Sequence, residues 1–220
     1  MIQSDTFRFL RALKRHNDKP WFDANRPKYL AAKEDFEQLV TRVLQEFEGL
    51  EPEIAQLSLR DCVFRIYKDV RFSRDKTPYK THFAAGFNRG GKKVHFPGYY
   101  LHIEPEGQSF LGGGMWMPAA PELKKIRQEI DYHLNEWEGL LTAKDFKKLY
   151  GGLSEEDMLS RPPQGYTADN PAVEYLKRKS FIAGCNLSDE VLQSKKALKE
   201  IMHRFETLKP LIDFLNRALD

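Results

Sequence analysis

The run Cys62-Val63-Phe64-Arg65-Ile66-Tyr67-Lys68 alternates with a period of two. Cys62, Phe64 and Ile66 fall on one face of an extended chain, and Val63, Arg65 and Tyr67 on the other. His82 to Asn88 alternates again and sets Phe83, Ala85 and Phe87 together. Arg89-Gly90-Gly91-Lys92 is a turn, so a hairpin is expected there. Tyr99 to Glu104 reads as a further strand, with Tyr99, Leu101 and Ile103 on one side. Pro105-Glu106-Gly107-Gln108 turns it into Ser109-Phe110-Leu111. The segments around 62–68, 82–88, 94–104 and 109–116 are therefore expected in one mainly antiparallel sheet, a meander of four or five strands.

Helical periodicity surrounds this stretch. Ser4 or Asp5 can cap a short helix with Phe7, Leu10 and Leu13 on one face. Asn17-Asp18-Lys19-Pro20 breaks it. A longer helix from about Lys28 to Phe47 carries Ala32, Phe36, Leu39, Val40, Val43 and Leu44 at helical spacing, and Gly49 and Pro52 end it. After the sheet, Pro121 opens a helix with Leu123, Ile126, Ile130 and Leu134. Shorter helices are expected around 143–150 and 171–176, with a possible strand from Ser180 to Cys185. Ser188 is read as the cap of a long helix bearing Val191, Leu198, Ile201, Met202 and Phe205, and Pro210 as the start or kink of the last one. Helices, then strands, then helices, without βαβ alternation, argue for an α+β fold. The expectation is a single domain over 1–220: a helical start at about 1–57, the sheet at about 60–117, and a helical end at about 120–220.

The chain has 220 residues, of which 41% are hydrophobic, 30% charged and 12% aromatic. That aromatic content excludes a disordered chain, and 12 Pro and 14 Gly exclude a coiled-coil rod. The two cysteines, Cys62 and Cys185, are too few for a disulfide framework or a zinc ribbon. No run approaches the roughly 18 apolar residues of a membrane span. The first residues hold acid and base where a signal peptide needs an apolar core. A cytoplasmic protein with no membrane partner is expected.

The net charge of +3 is too weak to imply nucleic acid by itself, but its distribution is uneven. Between Arg60 and Lys93 stand ten basic and three acidic residues, so this stretch carries +7 and the rest of the chain −4. Its centre is Arg71-Phe-Ser-Arg-Asp-Lys-Thr-Pro-Tyr-Lys-Thr-His82, a loop between strands. Cations, hydroxyls and backbone amides on a loop are what a phosphate or carboxylate requires. The same residues also fit a solvated loop tied down by ion pairs to its own Asp69 and Asp75. Gly112-Gly113-Gly114 follows a strand and lets the backbone approach either a ligand or a neighbouring strand. Lys177-Arg178-Lys179 is a second cationic run, and Arg127 is expected to snorkel out of its helix.

Gly86-Phe-Asn-Arg-Gly-Gly91-Lys92 has the spacing of a nucleotide phosphate loop but lacks the Ser/Thr after Lys92 and lies in a hairpin, so it is rejected. Six histidines are present, none paired at helical metal spacing. His95 and His102 flank a turn and can meet, but no third ligand is evident, so no metal site is expected. No cofactor motif is found. His82, beside the basic loop, is the best acid or base, with Tyr79 as the other candidate proton carrier.

The run Phe64-Arg-Ile-Tyr-Lys-Asp-Val-Arg-Phe-Ser-Arg-Asp-Lys-Thr-Pro-Tyr-Lys80 resembles the signature of the family catalogued as domain of unknown function 2461. Gly98-Tyr-Tyr-Leu-His-Ile-Glu104, Gly112-Gly-Gly-Met-Trp-Met-Pro118, Leu176-Lys-Arg-Lys-Ser-Phe181, Trp21-Phe22 and Asn25-Arg26 agree with it. The resemblance covers almost the whole chain and implies no reaction. The residues themselves point to a pocket for an anionic, phosphate-bearing small ligand. In that reading Arg65, Arg71, Lys76 and Lys80 supply charge, Ser73 and Tyr79 add hydrogen bonds, and Gly112, Gly113 and Gly114 form a wall. One alternative is a nucleic-acid-binding module that stacks bases on Phe72 and Tyr79. Another is a protein-interaction domain whose basic loop docks an acidic partner.

Overall fold

The computed structural model describes residues 1–220. The fold is α+β, with one antiparallel sheet among eleven helices. Five helices come first: α1 (Ser4–Arg15), α2 (Lys19–Ala24), α3 (Arg26–Glu46), α4 (Pro52–Ala55) and α5 (Leu59–Cys62). The strands β1 (Phe83–Asn88), β2 (Gly98–Ile103) and β3 (Phe110–Met115) follow. Then come α6 (Ala120–Tyr132), α7 (Leu134–Thr142), α8 (Lys144–Tyr150), α9 (Val173–Leu176), β4 (Phe181–Asn186), α10 (Asp189–Gln193) and α11 (Ala197–Leu219). The strand order is β1-β2-β3-β4. No helix is long and apolar enough to cross a membrane.

The chain divides into two compact units. The first comprises Met1–Val94, Tyr100–Leu111 and Asn186–His203. Its core is the apolar face of α3, where Ala32, Phe36, Leu39, Val40, Val43 and Leu44 are buried. Phe36 stacks on Phe83 at 5.4 Å, and Phe47 meets Phe87 at 5.5 Å, so this helix covers β1. Each such fully buried side chain contributes about 1.5–3 kcal/mol. Asp18 starts α2 by accepting from the Trp21 amide at 2.8 Å, with Pro20 in the first turn.

The second unit comprises His95–Tyr99, Gly112–Cys185 and Arg204–Asp220. Trp137 is fully buried and meets Tyr175, Phe181 and Phe214 at ring distances of 6.2, 6.0 and 4.9 Å. Arg217 closes its surface by pairing with Glu129 at 2.8 Å and Glu136 at 2.7 Å.

The structure differs from the sequence expectations in several places, beginning with the cap of α1, which is Gln3 and not Ser4 or Asp5. Cys62 ends α5, a short helix set by Ser58 and Asp61, whose side chains bond at 2.5 Å. The segment after it makes only two isolated antiparallel bridges, Val63 to Ala85 and Tyr67 to Tyr79. A bend at Thr81–His82 separates them, so 62–68 does not become a ladder strand. Ser188 caps only α10, because Ser194 leaves helical dihedrals and its Oγ bonds the Lys196 amide at 3.1 Å. Pro210 stands inside α11 rather than at the start of a separate helix. Arg127 does not snorkel; its Nη2 donates to the Arg178 carbonyl at 3.1 Å.

Both cysteines are free thiols. Burial pushes the Cys62 thiol up to about 11, with Asp61 adding to the effect, and burial also raises Cys185. At pH 8 about one Cys62 in a thousand is a thiolate. A disulfide-exchange reagent is expected to leave Cys62 unmodified in the native protein and to label it fully in denaturant. Rapid native labelling at Cys62 contradicts this placement.

Candidate functional site

The loop closed by the Tyr67–Tyr79 bridge pairs both of its carboxylates with its own cations. Arg71 folds back on Asp69, donating from Nε at 2.9 Å and Nη2 at 2.6 Å. This pair holds the Asp69 carboxyl below its usual range. Lys68 Nζ donates to Asp75 Oδ2 and to Thr77 Oγ1, both at 2.7 Å. Those bonds and the Thr77 amide hold Asp75 well below the carboxylate range. Lys76 Nζ donates to the Val70 carbonyl at 2.9 Å. Ser73 is half-buried, while Phe72 is 94% exposed, with the Arg71 guanidinium 5.7 Å from its ring centre. Tyr79 lies in the core. It stacks on Phe22 at 3.9 Å, and Asn17 clasps its backbone from both sides.

Arg65 and Lys80 differ from these loop cations. Lys80 is held by its backbone, whose amide donates to Ile66 at 2.7 Å. Its half-buried ammonium lies 5.5 Å from the Phe64 ring centre. Burial lowers the Lys80 pKa, and Arg65 lowers it further. Neither side chain makes a hydrogen bond or an ion pair. Arg65 is exposed and lies near enough to Asp69 to lower its pKa as well, while Lys80 has no carboxylate bonded to it.

Beside Lys80 the bend at Thr81–His82 brings His82 against β2. The rings of His82 and His102 lie 4.0 Å apart. His102 Nε2 bonds Glu104 Oε2 at 3.0 Å, and Thr81 Oγ1 donates to Glu104 Oε1 at 3.0 Å. Tyr100 Oη meets His102 Nδ1 at 3.4 Å, and Phe110 stacks on the His102 ring at 4.6 Å. Burial and the neighbouring His102 push His82 down to about 4. Burial also lowers His102, against the opposing pull of Glu104. Both imidazoles are thus neutral at pH 7, and the His102–Glu104 contact is a hydrogen bond rather than an ion pair. For Glu104, burial acts upward, but the bonds from His102 and Thr81 outweigh it and keep the carboxyl low.

The anticipated residues are thus sorted by the fold. Lys80, Arg65 and His82 gather at one end of β1. Arg71 and Lys76 are engaged within their loop, and Tyr79 is internal. Gly112, Gly113 and Gly114 lie in β3. An added Cβ at Gly112 falls 2.5 Å from the Ala183 carbonyl oxygen, and at Gly114 1.9 Å from that of Phe181. Gly112 and Gly114 make room for β4, and Gly113 for the Gly98 carbonyl of β2, 2.9 Å from its added Cβ. His95 does not meet His102; its Nε2 bonds the Trp116 carbonyl at 2.9 Å. The partners that sequence reasoning missed are Tyr100 and Glu104. Their signal was the second face of β2, where Tyr100, His102 and Glu104 alternate with the apolar Tyr99, Leu101 and Ile103.

The model of a family described as conserved hypothetical protein (DUF2461) matches residues 5–214 of the chain. No curated protein and no solved structure matches it.

Proposed function

We propose that this chain, which belongs to the family of conserved hypothetical proteins (DUF2461), binds an anionic, phosphate-bearing small ligand at Lys80 and Arg65. One observation carries the reading: the Lys80 ammonium is half-buried and makes no ion pair, and Arg65 disfavours its charge further. Removing an ammonium from water without a counter-charge is costly, so such a pair favours a bound anion. The rings of Phe64 and Tyr100, 6.2 Å apart, form an apolar wall beside it that strengthens a charged contact by excluding water.

The test is thermal melting of chelator-treated protein with and without inorganic phosphate. Phosphate at ten times its dissociation constant stabilises by about 1.4 kcal/mol, a rise of about 3–6 °C for a chain of this size. Lys80→Met keeps the apolar stem and removes the charge. It is expected to melt at or above the parent temperature without phosphate and to lose the phosphate response. A destabilised Lys80→Met, with no phosphate effect on the parent, contradicts the reading.

A nucleic-acid reading draws on one observation, the exposure of Phe72 among Arg71, Arg74 and Lys76. It requires a steep fall of affinity with salt, of several phosphate contacts, whereas a compact site gives a shallow slope.

A further inference from the structure

We propose that His82, His102 and Glu104 form a site for one divalent transition-metal ion of the zinc type. One potential ligand atom from each residue lies within 4.8 Å of the other two. His102 Nε2 and Glu104 Oε2 are 3.0 Å apart. Two donors bound at about 2.0–2.1 Å to one tetrahedral ion sit about 3.3 Å apart, so this pair needs almost no movement. His82 closes the remaining gap by rotation of its ring.

A plain histidine–carboxylate hydrogen bond accounts for His102 and Glu104 but leaves His82 over. Its half-buried ring makes no hydrogen bond and only lies tilted against His102. A shared ion gives that ring a role.

The surrounding bonds point the same way. The atoms not facing the centre are held from outside, Glu104 Oε1 by Thr81 and His102 Nδ1 by Tyr100. Such outer partners fix ring and carboxylate orientation in metal sites. Two imidazoles and one carboxylate suit zinc and its neighbours rather than magnesium or calcium, which take oxygen sets. Three protein donors leave a fourth position open.

Lys80 and Arg65 oppose a bare cation here. An anion bound at the open position, between metal and cations, offsets that repulsion. This last step rests on the phosphate reading above; the metal site itself does not.

The experiment uses the full chain, stripped with a chelator and free of phosphate. Zinc is titrated in competition with a chromophoric chelator, and cobalt(II) by absorption. The expected result is one ion per chain, with a cobalt ligand-field band and no thiolate charge-transfer band. His82→Asn and Glu104→Gln are expected to weaken binding about 100-fold or more, and Thr81→Val, a positioning change, about 10-fold. His95→Ala serves as the control and binds like the parent. Undiminished binding in folded His82→Asn or Glu104→Gln overturns the proposal. So does a thiolate band, or no uptake by the parent. Should a ligand variant fail to fold, the parent cobalt spectrum decides between the same outcomes. Metal uptake without a phosphate response removes the anion reading alone, and a phosphate response in stripped protein without metal uptake removes the metal site alone.

Discussion

Gly114→Ala is expected to lose about 4–5 kcal/mol of stability, lowering the melting temperature by about 8–20 °C. Two independent costs meet at this residue. Its φ of +124° is a conformation that side chains with a Cβ rarely adopt, which alone costs about 1–3 kcal/mol. The added Cβ also falls 1.9 Å from the Phe181 oxygen and 2.9 Å from both the Phe181 carbonyl carbon and Ile182 Cα. All three are backbone atoms of β4, so no rotamer change relieves the contact. The strands must part, and Phe181 must shift from its edge contact with Trp137. Against a total stability of about 5–15 kcal/mol, this is enough to threaten folding. Gly139→Ala is the contrasting control. It stands in α7 with nothing within 4 Å, and alanine there is expected to stabilise by up to about 1 kcal/mol. Thermal melting of both variants checks the pair. A Gly114→Ala protein that melts within about 2 °C of the parent, less than the shift from 1 kcal/mol, contradicts the apposition of β3 and β4.

Tyr79→Ala is expected to cost about 3–5 kcal/mol, while Arg71→Ala and Lys76→Ala change stability by less than about 0.5 kcal/mol. All three lie in one basic run, and the fold separates them. Tyr79 is 3% exposed, lies nearly parallel to Phe22 with an interplanar angle of 12°, and meets Tyr67 at 5.4 Å. Alanine leaves a ring-sized cavity beside Phe22 that the chain cannot refill, because Asn17 holds the backbone at both the amide and the carbonyl. Tyr79→Phe keeps the ring, and its cost is expected below about 1 kcal/mol. Arg71 and Lys76 are exposed, and their partners lie within the same loop, so water replaces each lost bond. Denaturant unfolding of the four variants gives the order directly. Equal losses for Tyr79→Ala and Arg71→Ala would falsify this division of the run.

Period-two alternation located β1 and β2, whose core faces the pattern must mark, and the turn at Pro105–Gln108 placed β3 after them. It misled at Cys62–Lys68. The alternation is genuine there, but a ladder also needs a continuous partner, and Thr81–His82 bends away. Ser180–Cys185 was legible as a strand, yet nothing local said that it lies against the glycines of β3. That contact joins residues about seventy positions apart. The charge count picked out the run that contains both Lys80 and Arg71. It could not tell Lys80 from Arg71, because neutralisation depends on which carboxylate folds back: Asp69 bonds Arg71, and none bonds Lys80. The three residues of the proposed metal site are dispersed in the chain: His102 lies on β2, Glu104 one residue past its end and His82 one residue before β1.

The most direct test of the anion reading is a crystal of the protein soaked in phosphate. The expected result is one well-ordered anion within hydrogen-bond distance of both Lys80 Nζ and the Arg65 guanidinium, absent from a Lys80→Met crystal treated identically. An anion held only by Arg71 and Lys76, or one seated at Arg127 and Arg178, with the space between Lys80 and Arg65 filled by water, contradicts it.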